Sequence, residues 1–184
     1  MIENPTTTRI YLIRHATPDW GRTDIPYDIP PGPGLVELGE IEAAQLGEFI
    51  RQAGIKKLYH SPLERAKRTA QISAEIAGIL IEEEVGLAEW RSGENEQQVA
   101  TRFLSIWPRI LSESETSGPI GLVTHGGPAG IMLLKLGLSE PTLETHRKLF
   151  DHRNPLPPAG VWLAEKLPGS EQWVLSLVFS PKGN

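Results

Sequence analysis

Ile10-Tyr11-Leu12-Ile13-Arg14-His15-Ala16-Thr17 is the stretch on which the reading of this chain turns. Four apolar strand formers in a row, with no polar residue alternating among them, suit a strand buried on both faces, of the sort parallel sheets use. The run stops at an arginine and a histidine. In open α/β sheets, sites lie beyond the carboxyl ends of the strands, so Arg14 and His15 stand where a site is expected.

The same grammar recurs downstream. Lys57-Leu58-Tyr59-His60 reads as a second strand, Ile79-Leu80-Ile81 as a short one, and Ile120-Gly121-Leu122-Val123 as another buried strand that ends at Thr124-His125. Leu35, Leu38, Ile41, Ala44, Leu46, Phe49 and Ile50 recur mostly at three- and four-residue spacing, which predicts an amphipathic helix over 35–50 ended near Gly54. Ser61-Pro62-Leu63-Glu64 offers a capping serine, a proline at the first helical position and a glutamate three residues on, so a helix is expected to start there and run to Ala77. Val99 to Leu111 reads as a helix despite Pro108, Ser112 to Pro119 as a surface loop, and Gly126-Gly127-Pro128 as a turn into a helix with Ile131 to Leu136 as its apolar body.

Val161 to Ala164 and Trp173 to Phe179 flank Pro168-Gly169-Ser170 as a hairpin. Strands alternating with helices predict an α/β fold, a three-layer α/β/α sandwich with a mostly parallel central sheet and an antiparallel edge strand from the hairpin. The 184 residues suit one domain over 1–184. Between Pro18 and Gly34 stand five prolines and three glycines. Such a segment is irregular and too long for a simple connector, and loops of that kind usually cover a site.

Composition excludes several classes. A net charge of −5 argues against general nucleic-acid binding, which needs many cations to neutralise backbone phosphates. The absence of cysteine removes disulfides, thiolate zinc sites and a thiol nucleophile. No run of about 18 apolar residues is present, and Met1 to Thr8 is polar and short, so neither a membrane span nor a secretory leader is expected and a cytoplasmic protein is. A homodimer is compatible with the sequence and not specified by it.

Arg14 and His15 after the first strand, Arg65 after the second and His125 after the third would share one rim. Guanidinium forks match phosphate oxygens bidentately and never lose their charge. The backbone amides near Gly126, at a helix start, add to that field. Among such cations His15 is expected to be neutral, with a lone pair free to attack phosphorus, and His125 to be its protonated partner. A metal held by His15, His125 and a carboxylate is disfavoured, because the arginines repel a cation. Taken singly, Arg65 competes with Lys67 and Arg68 for a surface role, and Glu89 with Glu83, Glu84, Glu94 and Glu96 for any acid role. His60, His146 and His152 are assigned no chemistry. Trp20 and Trp90 are candidates to line a pocket, with Trp107 more at home in the core.

These residues, in this order, resemble the histidine phosphatase superfamily, which includes phosphoglycerate mutases and small phosphatases. The likeness lies in Leu12-Ile13-Arg14-His15-Ala16-Thr17, in Ser61-Pro62-Leu63-Glu64-Arg65-Ala66-Lys67-Arg68-Thr69-Ala70, in Leu87-Ala88-Glu89-Trp90 and in Val123-Thr124-His125-Gly126-Gly127. It implies a phosphoglycerate mutase-like fold with His15 as phosphate acceptor, Arg14, Arg65 and His125 as phosphate binders, Glu89 as proton donor, and neither metal nor cofactor. The family's usual Arg-His-Gly-Glu-Thr and following Trp-Asn pair are replaced here by Ala16, Thr17, Pro18 and Trp20-Gly21, which leaves Thr17 to donate a hydroxyl where the family uses an amide. The expected activity is hydrolysis of a small phosphorylated metabolite through phosphohistidine. A mutase and a non-catalytic phosphate-binding module are the alternatives.

Overall fold

The computed structural model describes residues 7–183; the polar start of the chain, through Thr6, lies outside them. Strands β1 (Thr8–Arg14), β2 (Lys57–His60), β3 (Leu80–Glu83), β4 (Ile120–Thr124), β5 (Val161–Lys166) and β6 (Val174–Phe179) form one sheet in the order β3-β2-β4-β1-β5-β6. β3, β2, β4 and β1 run parallel, while β5 and β6 are antiparallel to their neighbours. Both arms of the hairpin therefore join the sheet, not one. β5 lies inside it with Val161, Trp162 and Ala164 buried, and β6 forms the edge.

The period of two along β1 builds the layers. Tyr11 and Ile13 face helices α1 (Glu37–Ala53) and α2 (Glu64–Ala77), where they pack with Leu46, Ile50 and Leu58. Ile10 and Leu12 face α3 (Glu96–Ser117), α4 (Gly126–Lys135) and α5 (Glu140–Arg147), with Phe103, Met132 and Leu143. The outcome is the expected α/β/α sandwich. Register aligns the rim: Arg14 pairs with Thr124 and His60 with Val123, so β1, β2 and β4 end level with one another.

Several boundaries depart from expectation, each for a local reason. α2 begins at Glu64, capped by Leu63 with no side-chain bond, because the Ser61 hydroxyl is turned toward His125 and the Leu63 amide instead of closing a capping box. α3 starts earlier, at a capping box made by Asn95 and Gln98, and runs through the segment expected to be a surface loop. Its polar residues Ser112 to Thr116 satisfy themselves within a helix, as Thr116 does by donating to the Ser112 carbonyl, and Ser114 ties the helix to β1 through the Arg9 carbonyl. Pro108 is tolerated because it and Leu104, whose carbonyl loses its partner, both face solvent. α5 was not expected. Ser139 caps it by accepting from the Thr142 amide, with Pro141 in the first turn.

Gly39 fixes how α1 meets the loop after β1. A Cβ there would run into the carbonyl of Thr17, which accepts a bond from the Val36 amide. Alanine normally gains about 0.5–1 kcal/mol over glycine inside a helix. At this position the clash is with backbone, and overpacking of that kind costs about 1–3 kcal/mol. Gly39→Ala is therefore expected to lower stability, and a urea midpoint at or above that of the parent protein would contradict this account.

Candidate active site

The ends of β1 and β4 and three loops build one pocket of about 270 Å³, lined by Arg14, His15, Tyr27, Glu89, Gly126 and Gly127 together with Trp20, His152 and Asn154. His15 is held on both sides of its backbone, its amide donating to the Thr124 carbonyl and its carbonyl accepting from the Ala159 amide. Its ring Nδ1 lies 2.7 Å from the Ala16 carbonyl. A carbonyl can only accept, so the ring proton sits on Nδ1 and the lone pair on Nε2. Arg65 Nε donates to that Nε2 at 3.3 Å. Burial, then the charges of Arg65 and Arg14, hold the His15 pKa well below its ordinary value against the pull of the Ala16 carbonyl.

Arg65 is completely buried at the start of α2. Its Nη1 donates to the Tyr27 carbonyl at 2.7 Å, the Tyr27 ring lies 3.8 Å from the guanidinium carbon, and Nη2 reaches Glu89 Oε2 at 3.4 Å. The proline-rich segment thus covers the site from this side, as anticipated. Tyr27 itself could not be picked out, since a backbone carbonyl carries no sequence signal.

His125 caps α4, with Nε2 2.8 Å from Ser61 Oγ. Ser61 Oγ accepts from the Leu63 amide and keeps a second lone pair, so its contact with His125 fits either direction; the tautomer that makes Nδ1 a donor is the one in which Ser61 gives its proton to Nε2. The expectation that His125 would be protonated is overturned: burial, Arg65 and His15, in that order, hold its pKa well below the ordinary histidine value. Its Nδ1 is buried and unbonded, although it lies 3.4 Å from Glu89 Oε2. Gly126 and Gly127 supply the first amides of α4, which have no intrahelical acceptor. A Cβ on Gly126 would collide with the Asn154 side chain, which would have to move to admit it.

Two expected binders are placed differently from the reading. Arg14, 1% exposed, gives its fork to Asp151, with Nη1 to Oδ1 at 2.6 Å and Nη2 to Oδ2 at 2.7 Å, and Nη1 also donates to the Leu156 carbonyl. Its Nε, buried and unbonded, and the second Nη2 proton are left for a ligand. The Thr17 hydroxyl does not face the pocket as a donor; it and the Thr17 amide both donate to the buried carboxylate of Glu42. Of the competing acids, Glu84 is bonded to the Gly86 amide and Glu94 to Arg102, while Glu89 lines the pocket.

The acid's position depends on a residue outside the motifs. Arg102 on α3 donates to the carbonyls of Gly86, Ala88 and Glu89 at 3.1, 2.7 and 2.8 Å, clamping the loop. Burial raises the Glu89 pKa against the Trp90 amide, which donates to Oε1, and the Arg65 charge. His15, Glu89 and His125 lie close enough together to ligate a metal ion. Arg65 touches two of the three, and a cation there would sit against a buried guanidinium, whereas an anion would meet N–H donors.

Residues 10–98 match the sequence profile of the histidine phosphatase superfamily, branch 1. A probable phosphoglycerate mutase of Salmonella arizonae is 34% identical over 165 residues, covering 68% of this chain and 73% of its own. The chain belongs to the histidine phosphatase superfamily. Another relative, the uncharacterized phosphatase PhoE of Bacillus subtilis, is 26% identical over 168 residues, covering 76% of this chain and 83% of its own. Among solved structures, a mycobacterial glucosyl-3-phosphoglycerate phosphatase superposes with a TM-score of 0.73 at 19% identity, covering 94% of this chain and 98% of its own. A phosphoglycerate mutase from Bacillus anthracis gives 0.75 at 16% identity, over 95% and 93%. At these identities the structural likeness is one of fold. Among the described residues no helix is long and apolar enough to cross a membrane.

The buried histidines of this superfamily member make stability depend on pH in a defined sense. In the unfolded chain both imidazoles take up protons below about pH 6.5, and in the folded protein they do not until well below it. Stability is therefore full above about 6.5 and falls as the pH drops, by up to ~1.4 kcal/mol per pH unit for each ring. Glu89, with its raised pKa, acts in the opposite sense and offsets part of the loss. A His15→Gln/His125→Gln protein is expected to show a flatter melting-temperature profile between pH 6.5 and 5 than the parent, and an equally steep one would refute the assignment of neutral rings.

Proposed function

We propose that the protein hydrolyses a small phosphomonoester through a phosphohistidine on His15, without a metal. The observation that carries this is a pair of buried donors with nothing to donate to, Arg14 Nε and His125 Nδ1, around the lone pair of a neutral imidazole. An unsatisfied buried donor costs about 1–3 kcal/mol. An oxyanion in the pocket would satisfy both, with Arg65 and the first amides of α4 completing its shell.

In the first step His15 Nε2 forms a bond to phosphorus as the ester P–O bond breaks, and the departing alkoxide takes the Glu89 proton. Burial already favours that protonated carboxyl, and a phosphate dianion beside it favours it further by engaging Arg65. In the second step water attacks phosphorus, gives its proton to the Glu89 carboxylate, and the P–N bond returns its electron pair to Nε2. The charge developing on the equatorial oxygens meets guanidinium and amide donors already in place, which is the electrostatic stabilisation this reaction requires. Phosphatases and mutases share this first step. A mutase additionally rephosphorylates a retained product, and the relatives named above include both kinds.

Two outcomes test the proposal. His15→Ala should abolish turnover and the acid-labile phosphoryl label on the folded protein. Glu89→Gln should lower kcat for alkyl phosphates by roughly 10²–10⁴ and lower it far less in the first step for p-nitrophenyl phosphate, whose leaving group needs no proton, so that phosphohistidine accumulates. Undiminished hydrolysis by His15→Ala would end this reading.

A further inference from the structure

The identity of the leaving group can be narrowed, on the footing of the phosphatase reading above. A second cavity, about 350 Å³, adjoins the phosphate pocket and is lined by Trp20, Leu149, Phe150, Asp151, Pro157 and Pro158, with His152. Trp20 and His152 line both cavities. Their rings are in contact, with centroids 4.6 Å apart, and Tyr27 stacks on Trp20 with centroids 5.0 Å apart and planes 13° from parallel. Because Tyr27 also lies on the Arg65 guanidinium, a row of rings leads from the phosphate clamp to the second cavity.

Large apolar groups are left in water at this mouth. Trp20 is 44% exposed and Leu149 67%, and the ring of Trp90, also exposed, borders Gly127 at the edge of the phosphate pocket. Contiguous exposed apolar surface around a cavity marks a binding surface more often than chance placement does.

Charge points the same way. No lysine or arginine lines the second cavity, and its one carboxylate is Asp151. In the phosphate pocket the permanent cation among the lining residues is Arg14, and its fork is occupied by that same Asp151. A substrate carrying a second anionic group, such as a carboxylate or another phosphate, would find no cation to receive it here and would face Asp151. We infer that the alcohol released by this enzyme is uncharged and bears a flat aromatic ring, which lies against Trp20 and His152 in the second cavity. Such a ring stacks on tryptophan and buries apolar area on the proline and leucine walls.

Three primary alkyl esters with similar leaving groups test this: 2-(2-naphthyl)ethyl phosphate, ethyl phosphate and 3-phosphoglycerate. The expected order of kcat/KM places the naphthyl ester about tenfold or more above ethyl phosphate, since even one methylene in an apolar pocket is worth about that, with 3-phosphoglycerate lowest. Trp20→Ala should reduce the naphthyl-to-ethyl ratio by about tenfold, mainly through KM. Leu149→Lys, at a position exposed enough to leave folding intact, should raise 3-phosphoglycerate relative to ethyl phosphate. Equal rates for the naphthyl and ethyl esters, a preference for 3-phosphoglycerate, or a ratio untouched by both substitutions would overturn the inference while leaving the phosphatase reading standing. No turnover of any ester and no phosphohistidine would overturn both.

Discussion

A guanidinium sealed from water is the constraint around which the site is organised. Arg65 cannot discharge itself, and in a low-dielectric interior its charge must be answered by oriented groups. The answer comes from four directions: the Tyr27 carbonyl, the Tyr27 ring, the lone pair of His15 and the carboxyl of Glu89. Each of these groups is thereby fixed in position, and burial, reinforced by the positive field, keeps His15 and His125 neutral. His15, Glu89 and the covering loop share one partner, so the proline-rich segment does for Arg65 what a counter-ion would do elsewhere.

Much of this was legible in the residues. Buried apolar runs located β1, β2 and β4, and their carboxyl ends carried Arg14-His15, Ser61-to-Arg65 and His125 to a common rim, because parallel strands deliver their last residues to the same edge. What sequence could not supply were groups that act through the backbone or across the fold. Tyr27 contributes a carbonyl, which every residue has; Arg102 grips three carbonyls of a loop thirteen to sixteen residues upstream; Asp151 meets Arg14 across 137 positions. The Ser61 capping box failed for a related reason. The hydroxyl that a capping box would use is turned toward a buried imidazole and the Leu63 amide. Ser112 to Thr116 have the polar composition of a loop, but a helix face in water is equally polar, and composition alone does not separate the two.

Arg14 shows that a strand-end arginine and a phosphate site need not have the simplest relation. With its fork on Asp151, it keeps two of its five N–H groups for a ligand, and the pocket has an internal carboxylate at its border. The site is consequently less cationic than its arginine count suggests. Thr17, likewise, is absorbed into the packing of the α1 face through Glu42, so the part of the motif that differs most from the superfamily pattern has become structural.

The two halves of the pocket hang from different supports. His15, Arg65 and His125 are rooted in the sheet and the helix starts that follow it, where register leaves almost no freedom. Glu89 sits on a loop gripped by its carbonyls from the side of α3, through Arg102. Under the proposed roles, changes in the gripped half would re-aim the proton donor toward alcohols of another shape while the phosphate grip stays as it is, a cheap route for one scaffold to new substrates.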